Sequence, residues 1–330
     1  MTTKKPHASA GTKSPALSKE FTASTAAKTA EKPPTGSVAG YVASASSKAT
    51  KRAYASDVRH FIQHGGAIPA TPAMVAEYLA KLAPIMKVAT LERRCVSIAQ
   101  AHRDQGLQSP TRADVVVATM KGIRRQHGTR QRAVKPITRD VLLEMLAVLD
   151  QQKSHPTKAA RDRALLLVGF AGAFRRAELV ALRVEDVTFH ETHAEVLLRF
   201  SKTDQFGKGR TVFLPKASGE RCPIQSLRAW LDVARIETGW LFRSVTKGGT
   251  ISLEPLSAQS VALIVKRAAK AMGREPEEFS GHSLRAGYVT TAAMASLPTW
   301  LIREQTGHRS DAVLARYIRP VEKRKIPSLL

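Results

Sequence analysis

Cysteine, acidic residues and long apolar runs are all scarce in this 330-residue chain, and each scarcity closes off a class of protein. Only Cys95 and Cys222 occur, far apart, so neither a disulfide framework nor a cysteine zinc cluster can be built. The longest apolar run, Ala164–Phe174, falls well short of the roughly 20 residues needed to span a bilayer. Met1-Thr2-Thr3-Lys4-Lys5 leads into small and polar residues without the apolar core of a secretory signal. Acidic residues number 27 against 52 Lys and Arg, leaving +25. Such a field attracts polyanions, which makes nucleic acid or an anionic membrane surface the expected partner. At 43% hydrophobic the chain still has the material for packed cores, and its length suits two domains. The expectation is a soluble, intracellular, polyanion-binding protein.

Residues 1–40 are rich in Thr, Ala, Ser, Lys and Pro and read as a disordered basic tail. Residues 41–126 carry a helical pattern. Tyr54, Val58, Phe61 and Ile62 form one stripe, and Gly65-Gly66 stops that helix. Thr71-Pro72 opens a second helix (Val75, Tyr78, Leu79, Leu82). A third starts near Thr90 (Leu91, Val96, Ile98), and a fourth follows Ser109-Pro110-Thr111 (Val115, Val117, Met120, Ile123). Short connections predict a bundle. Its polar faces are expected to carry Lys48, Lys51, Arg52, Arg93, Arg94, Lys121, Arg124 and Arg125, a set suited to phosphate contact. Residues 127–137 read as a linker and 138–330 as a second domain. There, Thr138 caps a helix, Arg161–Ala173 gives a buried one, 195–200 and 211–214 are strands joined across Ser201–Arg210, and the rest reads as helical again. The fold class is therefore mainly α with a small antiparallel β-sheet: a helical bundle followed by an α+β domain.

Four segments of the second domain carry chemistry: Gly172-Ala173-Phe174-Arg175-Arg176-Ala177-Glu178, Ser201-Lys202-Thr203-Asp204, Gly281-His282-Ser283-Leu284-Arg285, and Thr306-Gly307-His308, with Tyr317 beyond. On a helix, His282 and Arg285 share a face. With Arg175 closing from another element, two guanidinium forks can hold one phosphate. Tyr317 cannot share a continuous helix face with His308, because nine residues at about 100° each put them on opposite sides. A break is needed, and Ser310 and Asp311 can cap a new helix bearing Tyr317.

The order Arg, Lys, His-x-x-Arg, Gly-His, Tyr resembles the tyrosine recombinase (phage integrase) family, from about residue 45 onward. The resemblance implies a core-binding domain followed by a catalytic domain. It implies Tyr317 as nucleophile, forming a 3′-phosphotyrosyl intermediate, with Arg175, Arg285 and His308 on the phosphate. Lys202 would protonate the leaving 5′-oxygen, and His282 would take or position the tyrosine's proton. Glu178 would buttress Arg175. Lys208 and Arg210 lie in the same turn as Lys202 and stand as alternatives to it. No metal, ATP or other cofactor is implied. The partner would be double-stranded DNA bearing inverted-repeat sites, bound by a dimer on each site and a tetramer in synapsis, in the cytoplasm at the nucleoid. The short end from Ile318, apolar at Ile326 and Leu329-Leu330, suits docking on a neighbouring protomer. Alternatives on the same fold are a non-catalytic architectural DNA-binding protein and a type IB topoisomerase-like relaxing enzyme. His60 and His64, and His190 with His193, are spaced like ligands but lack an evident third partner, so they are expected to be incidental.

Overall fold

The computed structural model describes residues 37–130, 134–151, 155–199, 209–312, 314–315 and 317–318. Lys202, Lys208 and residues 319–330, including the apolar end of the expected docking tail, lie outside them. The chain divides into two compact units between Gln131 and Arg132. Among the described residues no helix is long and apolar enough to cross a membrane.

The first unit is helical: α1 (Val38–Ser44), α2 (Lys48–Gln63), α3 (Pro72–Leu82), α4 (Val88–Asp104) and α5 (Asp114–His127). Helix begins inside the stretch expected to be tail, because the Ser37 hydroxyl caps α1 by accepting the Gly40 N–H. As the sequence predicts, Thr71 accepts the Met74 N–H and Pro72 occupies the first turn of α3. The core gathers Phe61, Val75, Leu79, Leu82, Leu91, Ile98, Val116, Met120 and Ile123. Three stripes turn out differently from expectation. Ile62 is exposed and only Phe61 of the α2 stripe is fully buried, because α2 packs chiefly on α4 and presents a narrow inner face. Val96, Val115 and Val117 are also exposed; α5 turns Val116, Met120 and Ile123 inward, positions i, i+4 and i+7.

The second unit contains α6 (Arg139–Asp150), α7 (Pro156–Ala171), α8 (Arg176–Val180), β1 (Val187–Phe189), β2 (His193–Leu198), β3 (Arg210–Pro215), α9 (Pro223–Ala234), β4 (Arg243–Val245), β5 (Ile251–Pro255), α10 (Ala258–Ala271), α11 (Ser283–Met294) and α12 (Thr299–Thr306). Strands β1, β2 and β3 form an antiparallel meander. The pairs Ala194–Leu214 and Val196–Val212 face the core, while Leu197 and Phe213 point outward, the period-2 alternation of a sheet covered on one side. Residues beyond β3 are not all helical, as the sequence reading had them: β4 and β5 form a second hairpin, whose turn holds Gly249 at a φ of +87°. The core centres on Trp230, Phe174, Phe242 and Phe279, and the Trp230 indole donates to the Leu241 carbonyl at 2.8 Å.

Two local devices set up the site. Helix α7 stops at Ala171, and Ala173 takes a left-handed φ of +48°, so Arg175 becomes the N-cap of the short helix α8. The segment entering the unit lies across α11: Ile137 N–H donates to the Ser283 carbonyl at 2.9 Å. A Cβ on Gly287 would sit 1.7 Å from the Ile137 carbonyl oxygen, so only glycine permits this crossing.

Candidate active site

Arg175 is held twice by one carboxylate. Its backbone N–H donates to Glu178 Oε2 at 2.9 Å, and its Nη1 donates to Glu178 Oε1 at 2.5 Å. Glu178 is buried, so it fixes both the turn and the guanidinium. Arg285 lies in the first turn of α11 and is 1% exposed. Its Nη1 donates to the Ala173 carbonyl at 2.8 Å, the group that the left-handed residue offers. Among the described residues, Nε and Nη2 of Arg285 are buried without a hydrogen-bond partner. Burial, followed by the charge of Arg175, pushes its pKa down to about 10. Such an arginine is still charged at neutral pH, but its solvation is poor and two donors are uncommitted.

A third guanidinium joins them. Arg210, the first residue of β3, donates through Nη1 to the carbonyls of Gln305 (3.0 Å) and Glu304 (3.2 Å) at the end of α12. Its Nε and Nη2 are also buried without partners among the described residues. Burial lowers its pKa; Glu178 works against that and Arg175 adds to it. The side chain packs on Gly307, where a Cβ would come within 2.8 Å of Nε and where φ is +65°. Sequence reasoning named Arg210 only as an alternative to Lys202. Its packing against the turn before His308 depends on a contact between distant segments, and the sole sequence trace of it is the glycine at 307.

Gly307 ends α12, and helical backbone resumes at residues 311 and 312, where the break was expected. The new segment brings the Tyr317 hydroxyl to 2.8 Å from His282 Nε2. Burial, then the charges of Arg285, Arg175 and Arg176, lowers the His282 pKa below the ordinary 6.5. The ring is therefore neutral at pH 7, and in the tautomer that carries its proton on Nδ1 the Tyr317 hydroxyl donates to Nε2. Tyr317 is half-buried against the cluster of Val289, Ile302, Leu314 and Ile318. The rings of His282 and His308 both lie with centroids 6.2 Å from that of Tyr317. His308 Nδ1 is 2.7 Å from the Thr306 hydroxyl, which itself donates to the Ile302 carbonyl at 2.6 Å. With its own proton so committed, Thr306 accepts from His308 Nδ1–H, and His308 Nε2 is left bare. Burial and then four cationic or histidine neighbours, Arg285 first, hold the His308 pKa down to about 3.

The eight cations expected to face DNA from the first unit are of several kinds. Lys48 opens α2, and Lys51, Arg52, Lys121 and Arg125 are exposed. Arg93 makes a two-pronged bond to Asp57, both contacts at 2.8 Å, and Arg124 pairs with Glu92 at 2.8 Å. Arg94 corrects the expectation of an exposed face. It is 6% exposed, with Nε 3.8 Å from Asp57 and its guanidinium 5.9 Å from the Tyr78 ring centre. Alternation of polar residues along α4 could not reveal that the acid on α2 draws this arginine inward. His60 and His64 stack at 3.8 Å, with His60 Nδ1 3.1 Å from the Tyr78 hydroxyl.

Residues 135–324 match the model of the phage integrase family. The chain is 37% identical over 278 residues to an integrase/recombinase XerD homolog of Selenomonas ruminantium, covering 82% of this chain and 81% of that protein. Among solved structures it is similar to the XerH site-specific recombinase in a post-cleavage complex with palindromic difH (TM-score 0.59, 18% identity, 77% of this chain and 70% of that one). It is also similar to a lambda integrase dimer on a COC′ core site (TM-score 0.61, 17% identity, 88% and 77%). A guanidinium cluster beside a histidine-bonded tyrosine, on a chain matched across most of its length, places this protein in the phage integrase family of tyrosine recombinases.

Proposed function

We propose that the chain is a site-specific DNA recombinase that cuts and rejoins duplex DNA through a covalent tyrosine intermediate. The observation that carries this reading is the 2.8 Å bond between Tyr317 and a neutral His282, beside an arginine with two uncommitted buried donors. His282 Nε2 takes the phenol proton as the Tyr317 oxygen attacks phosphorus. The bond from phosphorus to the 5′-oxygen breaks, leaving a 3′-phosphotyrosyl link, and Lys202 gives the departing oxygen its proton. Arg175 and Arg285 hold the non-bridging oxygens, stabilising the charge of the pentacoordinate transition state. Arg210 is a positioning residue: it ties β3 to the end of α12, ahead of His308 and Tyr317. To donate to the phosphate, His308 takes up a proton at Nε2, and the incoming anion raises the pKa that its cationic neighbours hold down.

The phosphotyrosyl bond conserves the energy of the phosphodiester, so rejoining to another 5′-hydroxyl needs neither ATP nor a metal. Exposed Lys51, Arg52, Lys121 and Arg125, with Lys48, supply phosphate contacts that set affinity. The complete protein acts in the cytoplasm, at the nucleoid, on paired inverted-repeat sites, as a dimer on each and a tetramer in synapsis. The test uses duplexes from the DNA flanking its reading frame, nicked near the scissile phosphate so that the covalent product is trapped. The native chain should form an adduct that survives denaturation, and Tyr317→Phe should bind the same duplex and form none. An adduct with Tyr317→Phe would overturn the assignment. A fold that binds DNA without chemistry would give no adduct with either.

A further inference from the structure

We infer that the turn joining β1 to β2 is a binding site for a divalent transition-metal ion, zinc in preference to harder cations, with His190, His193 and Glu195 as ligands. One potential donor atom from each side chain lies within 4.8 Å of the other two. Glu195 Oε1 is 3.6 Å from His193 Nε2 and 3.9 Å from His190 Nε2. The two imidazoles stack face to face at 4.5 Å, tilted by only 17°. Tetrahedral zinc, with bonds of about 2.0–2.1 Å to nitrogen, holds its ligand atoms about 3.3 Å apart. Small side-chain rotations therefore close the three atoms around one ion.

The backbone explains why they converge. His190 N–H donates to the His193 carbonyl at 2.9 Å and Lys216 N–H to the Thr192 carbonyl at 3.0 Å, so the turn is pinned on two sides. His193 and Glu195 are two apart on β2 and share a sheet face. The Thr192 hydroxyl lies 3.1 Å from His193 Nδ1, occupying the far nitrogen and leaving Nε2 for an ion, and the same ring packs 5.6 Å from Phe213. Two imidazoles and one carboxylate suit zinc and its neighbours, whereas calcium and magnesium prefer oxygen ligands alone. Three protein ligands leave a fourth position for water. All three side chains are partly exposed, so the ion exchanges with solution and stabilises the edge of the sheet rather than joining the phosphate chemistry.

The experiment uses the full-length chain without a histidine tag, stripped of metal. Cobalt(II) is the spectroscopic probe, and zinc is measured by competition with a chromophoric chelator. One equivalent of cobalt should give the intense visible bands of tetrahedral coordination and be displaced by zinc. His190→Ala and Glu195→Gln should each weaken zinc at least about tenfold, a ligand loss being no milder than loss of a supporting contact. Zinc should raise the melting temperature of the native chain and not that of the His190→Ala/His193→Ala double variant. Far-ultraviolet circular dichroism confirms that the variants fold. Absence of the tetrahedral bands, or zinc affinity unchanged in the double variant, overturns the site. Neither readout involves DNA, so failure here leaves the strand-cleavage reading as it stands.

Discussion

Each unit of this protein gathers arginines around one buried carboxylate, and the two gatherings are put together differently. In the helical unit, Asp57 receives both prongs of Arg93 and the Ser97 hydroxyl, with Arg94 close behind. In the second unit Glu178 binds Arg175, while Arg210 and Arg285 each reach backbone carbonyls through one nitrogen and, among the described residues, leave two donors unmatched. Burial works to raise the Asp57 pKa, but bonds from Arg93 and Ser97 and the charges of Arg93 and Arg94 outweigh it and lower the net value. At the other cluster burial dominates and arginine, imidazole and guanidinium alike become easier to deprotonate. The first cluster saturates its carboxylate through Arg93 and Ser97 and serves the fold, although Nε and Nη1 of Arg94 are also buried without a hydrogen-bond partner among the described residues. In the second, the described residues set one carboxylate, Glu178, among three guanidiniums, and on the proposed function a substrate phosphate supplies the further acceptors.

The largest test of this contrast is Arg285→Met, which keeps most of the volume and removes the unmatched donors. Covalent trapping should fall by about 10²–10³ or more, while affinity for the duplex changes little. Equal losses in both would make Arg285 structural. Next is Arg93→Ala, which strands Asp57. Chemical denaturation should report a loss of about 2 kcal/mol, at the low end for a broken buried pair because Arg93 is half-exposed. The trapping rate per bound protein should hold, and its collapse would erase the distinction between the clusters.

Acid separates them further. The His308 pKa is about 3 in the fold against an ordinary 6.5, so between those values the unfolded chain binds more protons. Stability should therefore fall as pH drops below about 6.5, and His308→Gln should flatten that limb. The Asp57 contribution is present above its unfolded pKa of about 3.8 and should fade only below it. Melting curves from pH 7 to 3 would resolve the two limbs, and a single limb insensitive to His308→Gln would contradict the neutral assignment. The smallest effect belongs to Lys121→Ala. It should weaken binding alike for all sequences and lower the salt slope by about one. An unchanged slope would remove it from the interface.

These contrasts also mark what could be read before any coordinates. Arg175, His282, Arg285, His308 and Tyr317 were legible because each sits in a short motif whose residue types suit one phosphate. Helical arithmetic also placed the break between His308 and Tyr317. Arg210 was not legible in its role, since its partners are carbonyls of a helix more than ninety residues away. Arg94 misled because solvent-facing charge and inward-facing charge look alike along α4 until the acid opposite is known. The β4–β5 hairpin had a signal that was passed over, the Gly248-Gly249 pair between two short apolar stretches. In the His190–Glu195 cluster, Glu195 shares the face of His193 by strand alternation, a signal missed because the sequence reading began that strand only at residue 195.

The bond between His282 and Tyr317 joins two residues of one polypeptide. In genetic terms, a site built as proposed is then not shared between copies: an allele lacking the tyrosine and an allele lacking Arg285 each lose a part that the other cannot lend. Co-expressing Tyr317→Phe with Arg285→Met should leave cells as deficient in strand cleavage as either alone. Restored cleavage in the mixture would mean that the tyrosine crosses to its neighbour when DNA is bound.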